Sequence, residues 1–248
     1  MLAFWLSIPL CFGIKPNGNI PTINESSVVC GPIGCTVDFR CRLIHLKIIL
    51  WNKPLEIGLC NKAVVHQRMD GSIREGSIFF LGDSITQSLN VNSVTNQGIN
   101  YGIGGDTTFG LLNRIKYYNS LNKADKILVA IGINDFIFNR TSKEIIENYE
   151  KIFELLPKDK KVFINSVLPV TYQYTENSDK ITIKQIVELN HELKKFCSLK
   201  PNCEFINSYG LFADSAGFLK KSYDTGDGIH LNTEGYNLLI KILKVKIN

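Results

Sequence analysis

From residue 77 onward the chain alternates two kinds of segment, and the alternation leaves few folds open. Apolar runs rich in β-branched and aromatic residues recur at 77–81, 97–101, 126–131, 161–166 and 203–206. Segments with apolar residues at helical spacing lie between and after them, at 107–120, 142–156, 180–199 and 232–246. The short runs are apolar on consecutive positions, so both faces of each strand expect cover. Buried strands alternating with helices predict a parallel sheet between two helical layers, an α/β fold. Local punctuation agrees: Pro157 suits the end of the second helix. Asn232 or Thr233 can cap the last helix, where Glu234 complements the dipole of the first turn.

Residues 75–248 are therefore expected to form one domain, preceded by an extension of different character. Residues 1–13 (MLAFWLSIPLCFG) are apolar but fall short of the ~20 residues a bilayer span needs. They resemble the apolar core of a signal peptide, with Cys11-Phe12-Gly13 as a cleavage site, or a truncated membrane anchor giving weak membrane association. Export or tethering and a cytoplasmic location stand equally open. Residues 14–42 mix Pro, Gly, Asn, Ser and Cys without periodicity, 43–51 suggest a short packed helix or strand, and 61–72 suggest a lead-in helix. Within 14–74 the expectation is thus an irregular extension that ends in a helix.

Charge and cysteines narrow the chemistry. The net charge of +5 comes from 28 Lys+Arg against 23 Asp+Glu. The lysines are dispersed beside glutamates, with no basic run interleaved with aromatics, so a nucleic-acid partner is not expected. The seven cysteines match no zinc-ligand spacing. Cys197 and Cys203 flank a helix–strand turn and can close a small loop in an exported protein, but free thiols are the favoured expectation.

Chemistry in a parallel α/β sheet gathers at the carboxyl ends of the strands. Three motifs stand there: Gly82-Asp83-Ser84-Ile85-Thr86, Gly104-Gly105 and Gly132-Ile133-Asn134-Asp135. A fourth, Asp227-Gly228-Ile229-His230, precedes the last helix. Ser84, on a strand-to-helix turn, is the candidate nucleophile, and a serine hydroxyl needs an adjacent base. His230 is that candidate base, because Asp227 three residues earlier can reach its Nδ1–H and fix its tautomer. His45, His66 and His191 have no acidic partner in a motif and are expected to be structural. Asp83 is expected to hold the turn. The backbone N–H groups of Ser84 and Gly105 and the side-chain amide of Asn134 are candidate oxyanion donors. Ile85, Phe136 and Ile229, with Phe138 and Val170, follow strands and are candidates to line an acyl pocket; each suits the core equally well.

These blocks resemble the GDSL/SGNH hydrolase family, over roughly residues 75–246 and in family order. The stretch Asn100-Tyr101-Gly102-Ile103-Gly104-Gly105-Asp106-Thr107-Thr108 is most similar to the branch of platelet-activating-factor acetylhydrolase-like esterases. The resemblance implies a flavodoxin-like three-layer α/β/α sandwich with about five parallel strands. It implies Ser84, Asp227 and His230 as triad, Ser84, Gly105 and Asn134 as oxyanion hole, and neither metal nor organic cofactor. The function expected is hydrolysis of short acyl esters, such as acetyl on a sugar or lipid-derived alcohol, through an acyl-serine. Lysophospholipid or acyl-thioester hydrolysis is the alternative within the same chemistry. A non-catalytic carbohydrate- or lipid-binding module would be expected to lack a triad member, and none is missing. A nucleotide site at Gly102-Ile103-Gly104-Gly105 is disfavoured because the G-x-G-x-x-G spacing is absent. The oligomeric state is left open.

Overall fold

The structure, a computed structural model, describes residues 53–248, with side chains from residue 61 onward. The apolar run 1–13, the irregular stretch 14–42, the 43–51 segment, His45, Cys11, Cys30, Cys35, Cys41 and the Cys60 side chain lie outside the described residues.

Five strands form one parallel sheet: β1 (Ser77–Gly82), β2 (Gly98–Gly102), β3 (Ala124–Ala130), β4 (Lys161–Asn165) and β5 (Cys203–Ile206). Their order is β2-β1-β3-β4-β5. This is the doubly wound arrangement, in which the chain reverses direction across the sheet beside β1 and opens a crevice at the carboxyl ends there. Every residue of β1 is buried. Its side chains alternate between the two layers, as period 2 requires. Phe79 and Leu81 join one core with Tyr101, Ile127, Val129, Val162 and Ile164, whereas Ile78 and Phe80 join the other with Leu128, Phe163 and Ile206. Each fully buried side chain of this size contributes about 1.5–3 kcal/mol of transfer free energy.

The first core is covered by α4 (Thr108–Ile115), α6 (Ser142–Leu155) and α8 (Ile183–Ser198), through Leu111, Ile145, Tyr149, Ile152, Ile186, Leu189 and Leu193. The second is covered by α3 (Val91–Val94), α9 (Tyr209–Phe212) and α10 (Thr233–Ile247), through Val91, Val94, Phe212, Leu239, Leu243 and Ile247. The lead-in helix α1 (Lys53–Asp70) starts before the expected 61. Its His66 is buried and stacks on Tyr101 with ring centroids 4.7 Å apart. Its Asp70 accepts from Tyr101 Oη at 3.2 Å, from Ser120 N at 3.0 Å and from Ser120 Oγ. Among the described residues no helix is long and apolar enough to cross a membrane.

Two expectations change. The helix expected over 107–120 closes at Ile115 and is followed by a 3-10 turn, Asn119–Lys123. Bonds to the third residue back, Tyr117 N to Arg114 O and Tyr118 N to Ile115 O, tighten its end. The tightening lets Tyr118 Oη meet Arg114 Nη1 at 2.9 Å and Ser120 meet Asp70. Cys197 and Cys203, expected as free thiols, form a disulfide. Successive turns, Lys200 N to Cys197 O and Cys203 N to Lys200 O, fold the chain back between α8 and β5. They bring the two Cα atoms to 5.2 Å, within the range a disulfide spans.

Candidate active site

The turn after β1 divides its work between two neighbours. Asp83 is the N-cap of α2 (Ser84–Ser88): its Oδ1 accepts the Ile85 N–H at 3.0 Å. Ser84, one residue on, is thereby spared the capping role, and its Oγ lies 2.9 Å from His230 Nε2. Asp83 is 3% exposed. Burial pushes its carboxyl up to about 7, the Ile85 N–H opposes this, and the Asp106 and Asp135 carboxylates add to it.

His230 and Asp227 share a loop before α10. The other ring nitrogen of His230, Nδ1, stands 2.5 Å from Asp227 Oδ2. The second carboxylate oxygen, Oδ1, accepts the backbone N–H of Ile229 at 2.9 Å and of His230 at 2.8 Å. Burial alone would raise the Asp227 pKa, but these two N–H groups and the imidazole overcome it and hold the carboxyl at about 2. An ionised carboxylate selects the tautomer with the proton on Nδ1 and leaves Nε2 to accept from the serine hydroxyl. The loop is pressed against its neighbours. Gly228 has φ +87°, and a Cβ there would come within 2.7 Å of Thr171 Oγ1 and 2.8 Å of Tyr174 Cβ. Thr171 N donates to Gly228 O at 2.9 Å.

The candidate oxyanion donors come from the ends of β1, β2 and β3. Gly105 adopts φ +75°, a left-handed conformation that glycine enters without a Cβ penalty. A Cβ on Gly104 would lie 3.8 Å from Ser84 Cβ, so this turn abuts Ser84. Asn134 is the second residue of the short helix α5 (Ile133–Ile137) and gives one amide hydrogen to Asp106 O at 2.9 Å. Its second N–H, and the backbone N–H groups of Ser84 and Gly105, meet no acceptor among the described residues. The arrangement can therefore pass a proton from Ser84 to His230 while unengaged N–H groups stand at the same strand ends.

Behind these donors lies a buried polar scaffold that no motif in the chain had marked. Arg114 is 7% exposed and spreads its guanidinium over three partners: Asp106 Oδ2 at 2.8 Å, Tyr118 Oη at 2.9 Å and Gly82 O at 3.1 Å. It thus ties the residue before Asp83 to the residue after Gly105. Asp135, with no exposed surface, accepts from Thr108 N at 2.9 Å, Thr108 Oγ1 at 2.7 Å and Arg140 Nη1 at 3.2 Å. One signal for this scaffold was present. Arg114 sits on the same helical stripe as Leu111 and Ile115, where a charge requires a buried partner.

The pocket candidates separate. Ile85 and Ile229 are half-buried beside the triad residues. Phe136 is 1% exposed and belongs to the first core, as does Val170. Phe136 is therefore corrected to a packing residue: two positions after Asn134 on α5, its ring falls on the side of the short helix that packs into the first core. Phe138 is exposed. His66 is buried in its stack on Tyr101, burial lowering its pKa to about 4, and His191 is exposed on α8. Among the described residues no group of three His, Cys, Asp or Glu side chains is placed to hold a metal.

A family model described as GDSL-like lipase/acylhydrolase matches residues 80–238. The chain belongs to this family. Among relatives of the GDSL-like chain is the N-acylneuraminate cytidylyltransferase of Streptococcus agalactiae serotype V, 30% identical over 172 residues. That match takes in 67% of this chain, and the chain spans only 37% of the cytidylyltransferase. The platelet-activating factor acetylhydrolase IB subunit alpha2 of Homo sapiens is 26% identical over 185 residues, covering 71% of this chain and 77% of the relative. A solved structure from Streptococcus pneumonia, provisionally described as a platelet activating factor, superposes with a TM-score of 0.74 at 27% identity. It covers 82% of this chain and 99% of that one.

Proposed function

We propose that the chain is a serine esterase that removes short acyl groups, acetyl foremost, from a sugar or lipid-derived alcohol. The observation that carries the proposal is the unbroken relay from Ser84 Oγ through His230 Nε2 at 2.9 Å and His230 Nδ1 to Asp227 Oδ2 at 2.5 Å.

In the first half-reaction Ser84 Oγ attacks the ester carbonyl carbon as its proton passes to His230 Nε2. The former carbonyl oxygen becomes an oxyanion, which accepts hydrogen bonds from Ser84 N, Gly105 N and the free Asn134 amide N–H. Preorganised donors of this kind are worth roughly 3–4 kcal/mol each. Collapse breaks the bond to the alkoxy oxygen, which takes the proton from His230 and leaves as the alcohol. Water then attacks the acyl-serine with His230 again as base, the carboxylic acid leaves, and Ser84 regains its proton. Asp227 stays ionised throughout and steadies the imidazolium. The preference for a short acyl group is supported by the names of the acetylhydrolase relatives and by the burial of Phe136 and Val170, which leaves Ile85 and Ile229 as the half-buried apolar side chains beside the triad.

Ser84→Ala should lower kcat on p-nitrophenyl acetate by on the order of a hundred-thousandfold or more with the melting temperature unchanged, because Asp83 and not Ser84 caps α2. An active Ser84→Ala variant would remove the serine from the mechanism. A series of p-nitrophenyl esters tests the acyl preference: acetyl should turn over faster than octanoyl, and the reverse order contradicts it.

A further inference from the structure

The Gly104-Gly105 dipeptide poses a positioning problem. It has no side chains to pack, yet one of its amides must keep a fixed aim if it is to stabilise an oxyanion. Downstream it is held by Asp106, whose carboxylate pairs with Arg114 and whose carbonyl takes the Asn134 amide. Upstream, Ile103 N is held by Gly82 O at 3.0 Å. The next amide, Gly104 N, has one partner among the described residues: Gln87 Oε1, at 2.8 Å. Gln87 stands three residues after Ser84 on α2, so the two side chains share a helix face. A Cβ built on Gly104 would be 3.6 Å from Gln87 Oε1, 3.8 Å from its Nε2 and 3.8 Å from Ser84 Cβ. The glycine turn thus lies close to both Gln87 and Ser84. Gln87 is exposed, and its Nε2 has no partner among the described residues. No need of the core places a glutamine here.

We propose that Gln87 is a positioning residue for acyl transfer: its Oε1 holds the Gly104 peptide, so that the Gly105 N–H stays aimed at the carbonyl oxygen of an ester attacked by Ser84. The inference rests on the esterase proposal. It differs from a substrate-binding role because the oxygen of Gln87 is already committed to the loop. A neutral hydrogen bond of this sort contributes enough that its loss slows the chemical step about tenfold.

The test compares wild type, Ser84→Ala and Gln87→Met, which keeps the length and volume of the side chain and removes its strong acceptor. With p-nitrophenyl acetate, Gln87→Met should lower kcat about tenfold and leave KM and the melting temperature unchanged. An aryl trifluoromethyl ketone, which forms a hemiketal oxyanion on Ser84, should bind Gln87→Met more weakly by the same factor that kcat/KM falls. A residue with a purely structural role would not make those two losses track each other. A Gln87→Met enzyme within twofold of wild type in kcat, or one changed in KM alone, overturns the positioning role and leaves the esterase intact. Activity retained by Ser84→Ala overturns both.

Discussion

Asp227 and His230 approach Ser84 from a loop where their side chains are 52% and 40% exposed, whereas Asp106 and Arg114, behind the other wall, are 5% and 7% exposed. Both are acid–base pairs joined by short hydrogen bonds, and both align something on Ser84. The exposed pair is solvated, so its alignment comes from local geometry: two backbone N–H groups and one imidazole converge on a single carboxylate within four residues. The buried pair is held by the core around it and in turn holds backbone, the Gly82 carbonyl on one side and the Thr107 N–H on the other. A group that exchanges protons with water needs access to water. A peptide dipole that must not reorient during the reaction needs the opposite.

Substitutions on the two sides should therefore fail differently. The largest effect is expected from Asp227→Asn, which keeps the shape but reverses the hydrogen-bond preference at Nδ1. It should lower kcat on the order of ten-thousandfold while urea denaturation gives nearly wild-type stability; a large loss of stability would erase the contrast. Arg114→Met comes next. It strands the Asp106 carboxylate in the core and should destabilise the fold by about 3–5 kcal/mol, read from the urea midpoint. If Arg114→Met were as stable as wild type, the buried pair would not be the anchor described here.

The smallest effect concerns pH and sits between the two walls, at Asp83. Its folded pKa, about 7, lies above the ordinary carboxylate value of 3.8. The folded state therefore holds a proton that the unfolded state has released between those values. This contribution is therefore complete below about pH 4 and is lost as pH rises toward 7. From pH 4 to 6 it should remove about 2–3 kcal/mol. Asp83→Asn should flatten that part of the stability curve, measured by denaturant titration at each pH. An unchanged slope would mean that Asp83 is ionised in the folded protein.

The same contrast explains what the sequence disclosed. The Asp227-Gly228-Ile229-His230 motif was legible because its partners are adjacent in the chain, and the strands were legible because burial on both faces leaves continuous apolar runs. Ser84, Gly105 and Asn134 were singled out as candidates by their places after strands, and the structure sets them at the ends of β1, β2 and β3. Arg114, Tyr118 and Gly82 were not grouped, since no local pattern links a helix side chain to a strand carbonyl 32 residues earlier. Phe136 was misjudged for a related reason: a five-residue helix has no period from which to tell its inner face from its outer one. The short helix α7 (Tyr172–Asn177) escaped notice likewise.

The crowding at Gly228 has an evolutionary consequence. Thr171 and Tyr174 fill the room that any side chain at that position would need, and Thr171 is bonded to the Gly228 carbonyl. The segment after β4 and the turn bearing the imidazole are thus meshed like cog teeth. A lineage, or an engineer, seeking new selectivity by rebuilding residues 171–174 will displace the His230 loop as well, so the two stretches must be exchanged together as one cassette.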